Sequence, residues 1–79
     1  MRSMNAVVDR ADLQKTTGQR IREYREKRGI TQTALAAAIG IHQVSLSRIE
    51  NGVTLPEWDI LCNLAEALGV PVDKFRKKI

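Results

Sequence analysis

Ile21, Tyr24, Arg25 and Arg28 follow the i, i+3, i+4, i+7 spacing of one helix face, which predicts a first helix over residues 17–28. Gly29 ends it as a C′ glycine does. Thr31 is a natural N-cap for a second helix, Gln32–Ile39, whose inner face is Leu35, Ala36 and Ile39. Gly40 stops that helix. A third is predicted over residues 43–51, with Leu46 and Ile49 inward and Gly52 closing it. Pro56 prepares a fourth, which presents Trp58, Leu61, Leu64, Ala65 and Leu68 to the core and ends at Gly69. A short fifth helix over 72–77 carries Phe75. Val, Ile and Thr do not alternate with polar residues in any run, so no strand is expected. The pattern therefore predicts an all-α, compact five-helix domain over residues 16–79. Residues 1–15 read as a flexible N-terminal segment, or in part as an expression remnant ahead of a native start at Met4.

The second and third helices are separated by a connection too short for a slack loop. Leu35, Ile39, Ile41, Leu46 and Ile49 place one side of both helices, and the turn between them, on a common core. Ala36 is small where the helices approach, and Gly40 accepts positive φ where the chain must turn. This combination predicts a sharp crossing, the helix-turn-helix, rather than an antiparallel hairpin.

Composition narrows the chemistry. With one cysteine (Cys62) and one histidine (His42) the chain of 79 residues has no disulfide of its own and no zinc ligand set. Cys62 reads as a small core or half-buried hydrophobe. No apolar run reaches the ~18 residues of a membrane span, and no signal-peptide pattern opens the chain, so a cytoplasmic protein is expected. There is no nucleophile–base pair, metal cluster or glycine-rich phosphate loop, so no enzyme and no cofactor is expected.

The net charge is +4, and its distribution says more than its sum. Residues 19–28 hold five bases (Arg20, Arg22, Arg25, Lys27, Arg28) against Glu23 and Glu26, and residues 74–78 hold four and no acid. Residues 29–73 hold only Arg48 against five acids. Two basic ends flanking an acidic middle fit either an electrostatic footprint for phosphate or an ordinary solvated surface.

The stretch ITQTALAAAIGIHQVSLSRIENG, with REYREKRG before it and LPEWDILCNLAEALGV after it, resembles the XRE family of lambda-repressor and Cro-type helix-turn-helix proteins. The likeness covers residues 17–76. It implies a lambda-repressor-like fold and binding to double-stranded DNA, with the third helix in the major groove. Gln43 and Val44 at its tip, and Ser47 and Arg48 one turn on, are then the base-contacting residues. They fall opposite or beside the stripe of Leu46 and Ile49, as a reading face must. Glutamine pairs with adenine and arginine with guanine through two hydrogen bonds each, and valine meets a thymine methyl. The alternative for Arg48 is an internal pair with Glu50 or another acid.

Phosphate contacts are implied for Gln32 and Thr31 at the N-terminus of the second helix, where free backbone N–H groups and the positive dipole end lie. Ser45 and Asn51 join them, with Arg20 and Arg22 as lesser candidates. His42 stands where the family commonly has Ser or Thr; it is either a poorer cap or an imidazole aimed at phosphate. The resemblance further implies a structural ion pair between Arg25 and Glu50, and a homodimer on an inverted-repeat operator. Leu55, Ile60, Val72 and Phe75, with Val53, Val70 and Ile79 near them, supply the apolar surface expected for that dimer interface. The function expected is that of a transcriptional regulator, a repressor by resemblance, nucleoid-associated when on DNA. The alternatives are an antitoxin with a toxin partner, and a protein-interaction module that has lost DNA binding.

Overall fold

A computed structural model describes residues 10–75. It contains four α-helices, α1 (Arg10–Lys27), α2 (Gln32–Ile39), α3 (Gln43–Glu50) and α4 (Trp58–Leu68), followed by a 3₁₀ turn, Val72–Phe75. No strand occurs among the described residues. The all-α class expected from the sequence is the class found.

Local chemistry sets the boundaries of α2. The Thr31 hydroxyl accepts from the Ala34 N–H at 3.1 Å, satisfying one of the unpaired donors of the first turn. At the other end Gly40 takes φ 77°, ψ 30°. The Ile41 N–H then reaches back to the Ala36 carbonyl at 3.0 Å, the Schellman closure. That closure turns the chain directly into α3. His42 occupies the N-cap of α3 in extended backbone and makes no side-chain cap bond, as its weak capping chemistry leads one to expect.

Ile21, Leu35, Leu46, Leu64, Leu68 and Phe75 are the fully buried large side chains. Each is worth roughly 1.5–3 kcal/mol over its exposed state. With Ala36, Ile49, Leu61 and Ala65 they form one core. α1 lies across α3 and the closing turn, while α2 packs on α3 and α4. α1 comes very close to the end of α3. A β-carbon on Gly18 would overlap the Ile49 carbonyl oxygen and sit 2.9 Å from that of Glu50. Only glycine permits this crossing.

Four expectations need correction. The first helix starts at Arg10 rather than residue 17, so residues 10–15 are helical and not a free arm; residues 1–9 lie outside the described residues. Thr17 is buried and Leu13, one turn before it, is half-buried, so the inner face of the helix continues back past residue 17. Trp58 is 60% exposed instead of inward. As the first residue of α4 it lies over a groove of about 370 Å³ lined also by Leu13, Thr17, Leu55, Pro56 and Leu61. The fifth helix is a single 3₁₀ turn ending at Phe75, with residues 76–79, Ile79 included, outside the described residues. Phe75, expected at a dimer interface, is wholly buried. It meets Tyr24 of α1 edge-to-face at 6.0 Å, so it closes the protomer's own core and has no surface left for a partner.

Candidate nucleic-acid interface

α3 sorts its side chains by face. Leu46, Ile49 and Glu50 point into the protein. Gln43, Val44, Ser45 and Arg48 are exposed, and Ser47 is half-buried. The four residues expected to read bases, Gln43, Val44, Ser47 and Arg48, therefore share the outer side of one short helix. Val44 is 61% exposed, an apolar side chain facing mostly into water. Arg48 makes no ion pair among the described residues, so the internal pair with Glu50 is not formed.

Behind this face lies a polar network that ties α1, α2 and α3 together. Glu50 has no side-chain exposure. Arg25 grips it through Nε to Oε2 at 2.7 Å and Nη2 to Oε1 at 3.0 Å. A third guanidinium bond runs from Nη1 to the Ile30 carbonyl at 2.8 Å. A bidentate charged pair of this kind is directional as well as strong. The hydrogen bond to Glu50 raises the Arg25 pKa above the ordinary guanidinium value, against the lowering effect of burial. The structural pairing of Arg25 with Glu50 is thus present in the fold.

Two further partners of Glu50 were not foreseen. Arg22 approaches Oε1 at 3.5 Å, and Gln32 donates to the same oxygen at 3.0 Å. Gln32 in turn accepts a hydrogen bond from Gln43 Nε2 at 2.9 Å. The residue expected to clamp phosphate is therefore also the support of the residue expected to read a base. The one signal in sequence was the glutamine pair itself, at the N-termini of two helices joined by a tight turn.

Asn51 caps the C-terminal end of α3. Its Oδ1 accepts from Arg22 Nη2 at 3.3 Å, and its Nδ2 reaches Ser47 Oγ at 3.4 Å. Ser45 and His42 are exposed and Thr31 holds its cap. Thr31, His42 and Asn51 sit at helix ends, and Ser45 lies in the first turn of α3. The basic charge of α1 is partly committed elsewhere. Arg25 and Arg22 face Glu50, while Lys27 and Arg28 lie over the Tyr24 ring at 5.5 and 5.4 Å. Of the residues expected at a dimer interface, Leu55, Ile60 and Val72 are half-buried.

Among the described residues no group of three or more His, Cys, Asp or Glu side chains could hold a metal. No helix there is long and apolar enough to cross a membrane.

Comparison with known proteins matches residues 21–75 to the helix-turn-helix family model HTH_3. YazB of Bacillus subtilis, an uncharacterized HTH-type transcriptional regulator, is 39% identical over 57 residues, covering 72% of this chain and 83% of its own. A putative HTH-type transcriptional regulatory protein of Pyrococcus furiosus is 38% identical over 66 residues. The match covers 78% of this chain but only 21% of that larger relative. Among solved structures, the P22 c2 repressor bound to a synthetic operator superposes with a TM-score of 0.73 at 36% identity, covering 77% of this chain and 92% of the repressor. The controller protein C.AhdI of Aeromonas hydrophila gives 0.74 at 28% identity, over 77% and 92% of the two chains. The fold and the similar proteins are those of DNA-binding regulators rather than enzymes. With its turn geometry and these likenesses taken together, the chain belongs to the XRE-type helix-turn-helix family of transcriptional regulators.

Proposed function

We propose that this protein is a sequence-specific double-stranded DNA-binding repressor that docks α3 in the major groove and binds an inverted-repeat operator as a homodimer. The observation that carries the reading is the exposed face of α3. Gln43, Val44, Ser47 and Arg48 stand together there, and Gln43 is held from behind by Gln32. Solvated surface side chains have no need of such support, whereas a base-reading side chain gains from a fixed orientation. Thr31, Gln32, His42, Ser45 and Asn51 supply the phosphate contacts that set the register. Similar proteins captured on DNA, the P22 c2 repressor with a synthetic operator and SinR, support DNA as the partner.

Dimerisation follows from the size of the reader. One α3 touches a short stretch of sequence, and two-fold doubling places a second recognition helix about 34 Å along the same face of the duplex. Leu55, Ile60 and Val72, flanked by exposed Val53 and Trp58, form the surface for it. The protein then works in the cytoplasm, on the nucleoid.

The test is footprinting on the DNA upstream of the protein's own gene, followed by a salt titration on the protected fragment. A dimer neutralising about 6–10 phosphates loses about 10³–10⁵ in affinity between about 50 and 200 mM salt. No protected site, or affinity that is flat in salt, would refute DNA binding as the function.

A further inference from the structure

The geometry points to a separate backbone site at the exit of α3, where Lys15 and Arg22 of α1 hold one phosphodiester of the duplex; this rests on the DNA-binding function proposed for the chain. Lys15, Gln19 and Arg22 follow the i, i+4, i+7 spacing and form one stripe of α1. With Asn51 they line a groove of about 520 Å³ between α1 and the end of α3. The groove is continuous with the reading face. Arg22 Nη2 donates to Asn51 Oδ1 at 3.3 Å, and Asn51 Nδ2 donates to Ser47 Oγ at 3.4 Å. In the sequence pattern Lys15 belongs to a flexible segment, but the helix that starts at Arg10 carries it directly over the α3 exit. A β-carbon on Gly52 would lie 3.0 Å from the Lys15 α-carbon and 3.1 Å from its γ-carbon.

Charge decides the ligand. The Glu50 carboxylate faces two guanidinium groups, Arg25 at 2.7 Å and Arg22 at 3.5 Å. Together the three groups carry one positive charge in surplus. The Arg25 side chain is 11% exposed and that of Arg22 44%, so the surplus is presented at Arg22. Lys15 is exposed and takes part in neither ion pair found among the described residues, so it adds a second positive charge. Glu23 and Glu26 line the same groove further along α1, and Gln19 donates to Glu23 at 3.5 Å. These acids repel an anion from that stretch and leave the α3 end as its place. That end also needs cations. The C-terminus of a helix is the negative pole of its dipole, which disfavours a phosphate. Arg48, the one base of α3, stands on the reading face, and residues 52–57 hold no base and end on Glu57. The charge that neutralises a phosphate beside Asn51 therefore comes from α1.

The experiment measures affinity against salt for the wild type and for Lys15→Gln, Arg22→Gln and Lys27→Gln, on the footprinted fragment and on a duplex of unrelated sequence. Lys27 lies over the Tyr24 ring, outside the groove, so its variant controls for the loss of net charge. Each neutralised phosphate contributes about 0.9 to the slope of log affinity on log salt. Lys15→Gln is expected to lower the slope by about that amount per protomer, on both duplexes alike, with base preferences unchanged. This equals about a threefold change per protomer in the ratio of affinities between about 50 and 200 mM salt. Arg22→Gln is expected to do the same. Arg22 also touches Glu50, so circular dichroism follows the fold, and the exposed Lys15 variant remains informative even where Arg22→Gln unfolds. An unchanged slope in Lys15→Gln, or an equal loss in Lys27→Gln, overturns the site and leaves DNA binding standing. A wild-type chain that binds neither duplex overturns both. Inorganic phosphate titrated into the DNA-free protein, followed by NMR of the Arg22 Nε–H, separates the two sources of the anion. No saturation is expected; saturable binding that Lys15→Gln abolishes would overturn the duplex phosphodiester in favour of free phosphate.

Discussion

Replacing Arg25 by alanine removes three hydrogen bonds at once, two to the Glu50 carboxylate and one to the Ile30 carbonyl. The larger effect is on what remains. Glu50 has no solvent-exposed side-chain surface and Arg25 only 11%, so water cannot take over the freed carboxylate without reopening the junction of α1 and α3. Stranding one member of a buried pair costs about 3–5 kcal/mol. Gln32 at 3.0 Å and Arg22 at 3.5 Å still offset part of the charge, which places the expectation at the lower end, about 3 kcal/mol. For a domain of this size each kcal/mol moves Tm by about 4–8 °C. A fall of at least about 12 °C is therefore expected in thermal melting followed by circular dichroism. Because the pair raises the Arg25 pKa, the guanidinium stays charged through neutral pH, and Arg25's side of the contribution fades only as pH rises through the guanidinium range. The difference between wild type and variant is thus expected to be constant across neutral pH. The double variant Arg25→Met, Glu50→Leu should recover much of the loss, since an apolar pair of similar volume often replaces a buried ion pair at little cost. A Tm within about 4 °C of wild type for Arg25→Ala would show that Glu50 is solvated or rescued by Arg22, and would sink the reasoning.

Gly18→Ala should destabilise by about 1–3 kcal/mol in urea unfolding, through the overlap with the carbonyls of Ile49 and Glu50. Helix propensity alone favours alanine by about 1 kcal/mol, so a stabilised variant would refute the close crossing. His42→Ser supplies the side-chain cap that α3 lacks and should raise stability by about 0.5–1 kcal/mol; an unchanged unfolding midpoint would mean that the α3 N-terminus is already satisfied. Trp58 is the only tryptophan and is exposed in the protomer. Its fluorescence should shift to the blue as dimer forms on an operator duplex, and an unmoved spectrum at saturation would exclude this face as the interface.

The expectations that held are those governed by neighbours in sequence. Thr31 capping α2, Gly40 closing it and Gly69 closing α4 depend on side chains and backbone within one turn of each other. A cap carries its own partner with it, so a linear pattern is enough. The alternation of inner and outer residues on α3 was legible for the same reason: the helical period by itself puts Leu46 and Ile49 on one side and Gln43, Val44 and Arg48 on the other.

What the sequence left undetermined required a second element to arrive. Leu13 and Thr17 join the inner face of α1 beside Leu55, Pro56 and Leu61 of α4 and the loop before it, neighbours that the local pattern of residues 10–16 does not carry. Val72 and Phe75 are equally apolar in sequence, yet only Phe75 is wholly buried, because Tyr24 lies opposite it. Glu50, Arg25, Gln32 and Gln43 come from three helices separated by two turns. The order in which their donors and acceptors connect exists only once those helices cross. The sequence by itself determined α2 and α3, the caps at Thr31, Gly40 and Gly69, and the face of α3 that looks outward. Tertiary structure alone decided which charges are buried and which amide hydrogens on that face are already in use, because both depend on contacts between distant segments.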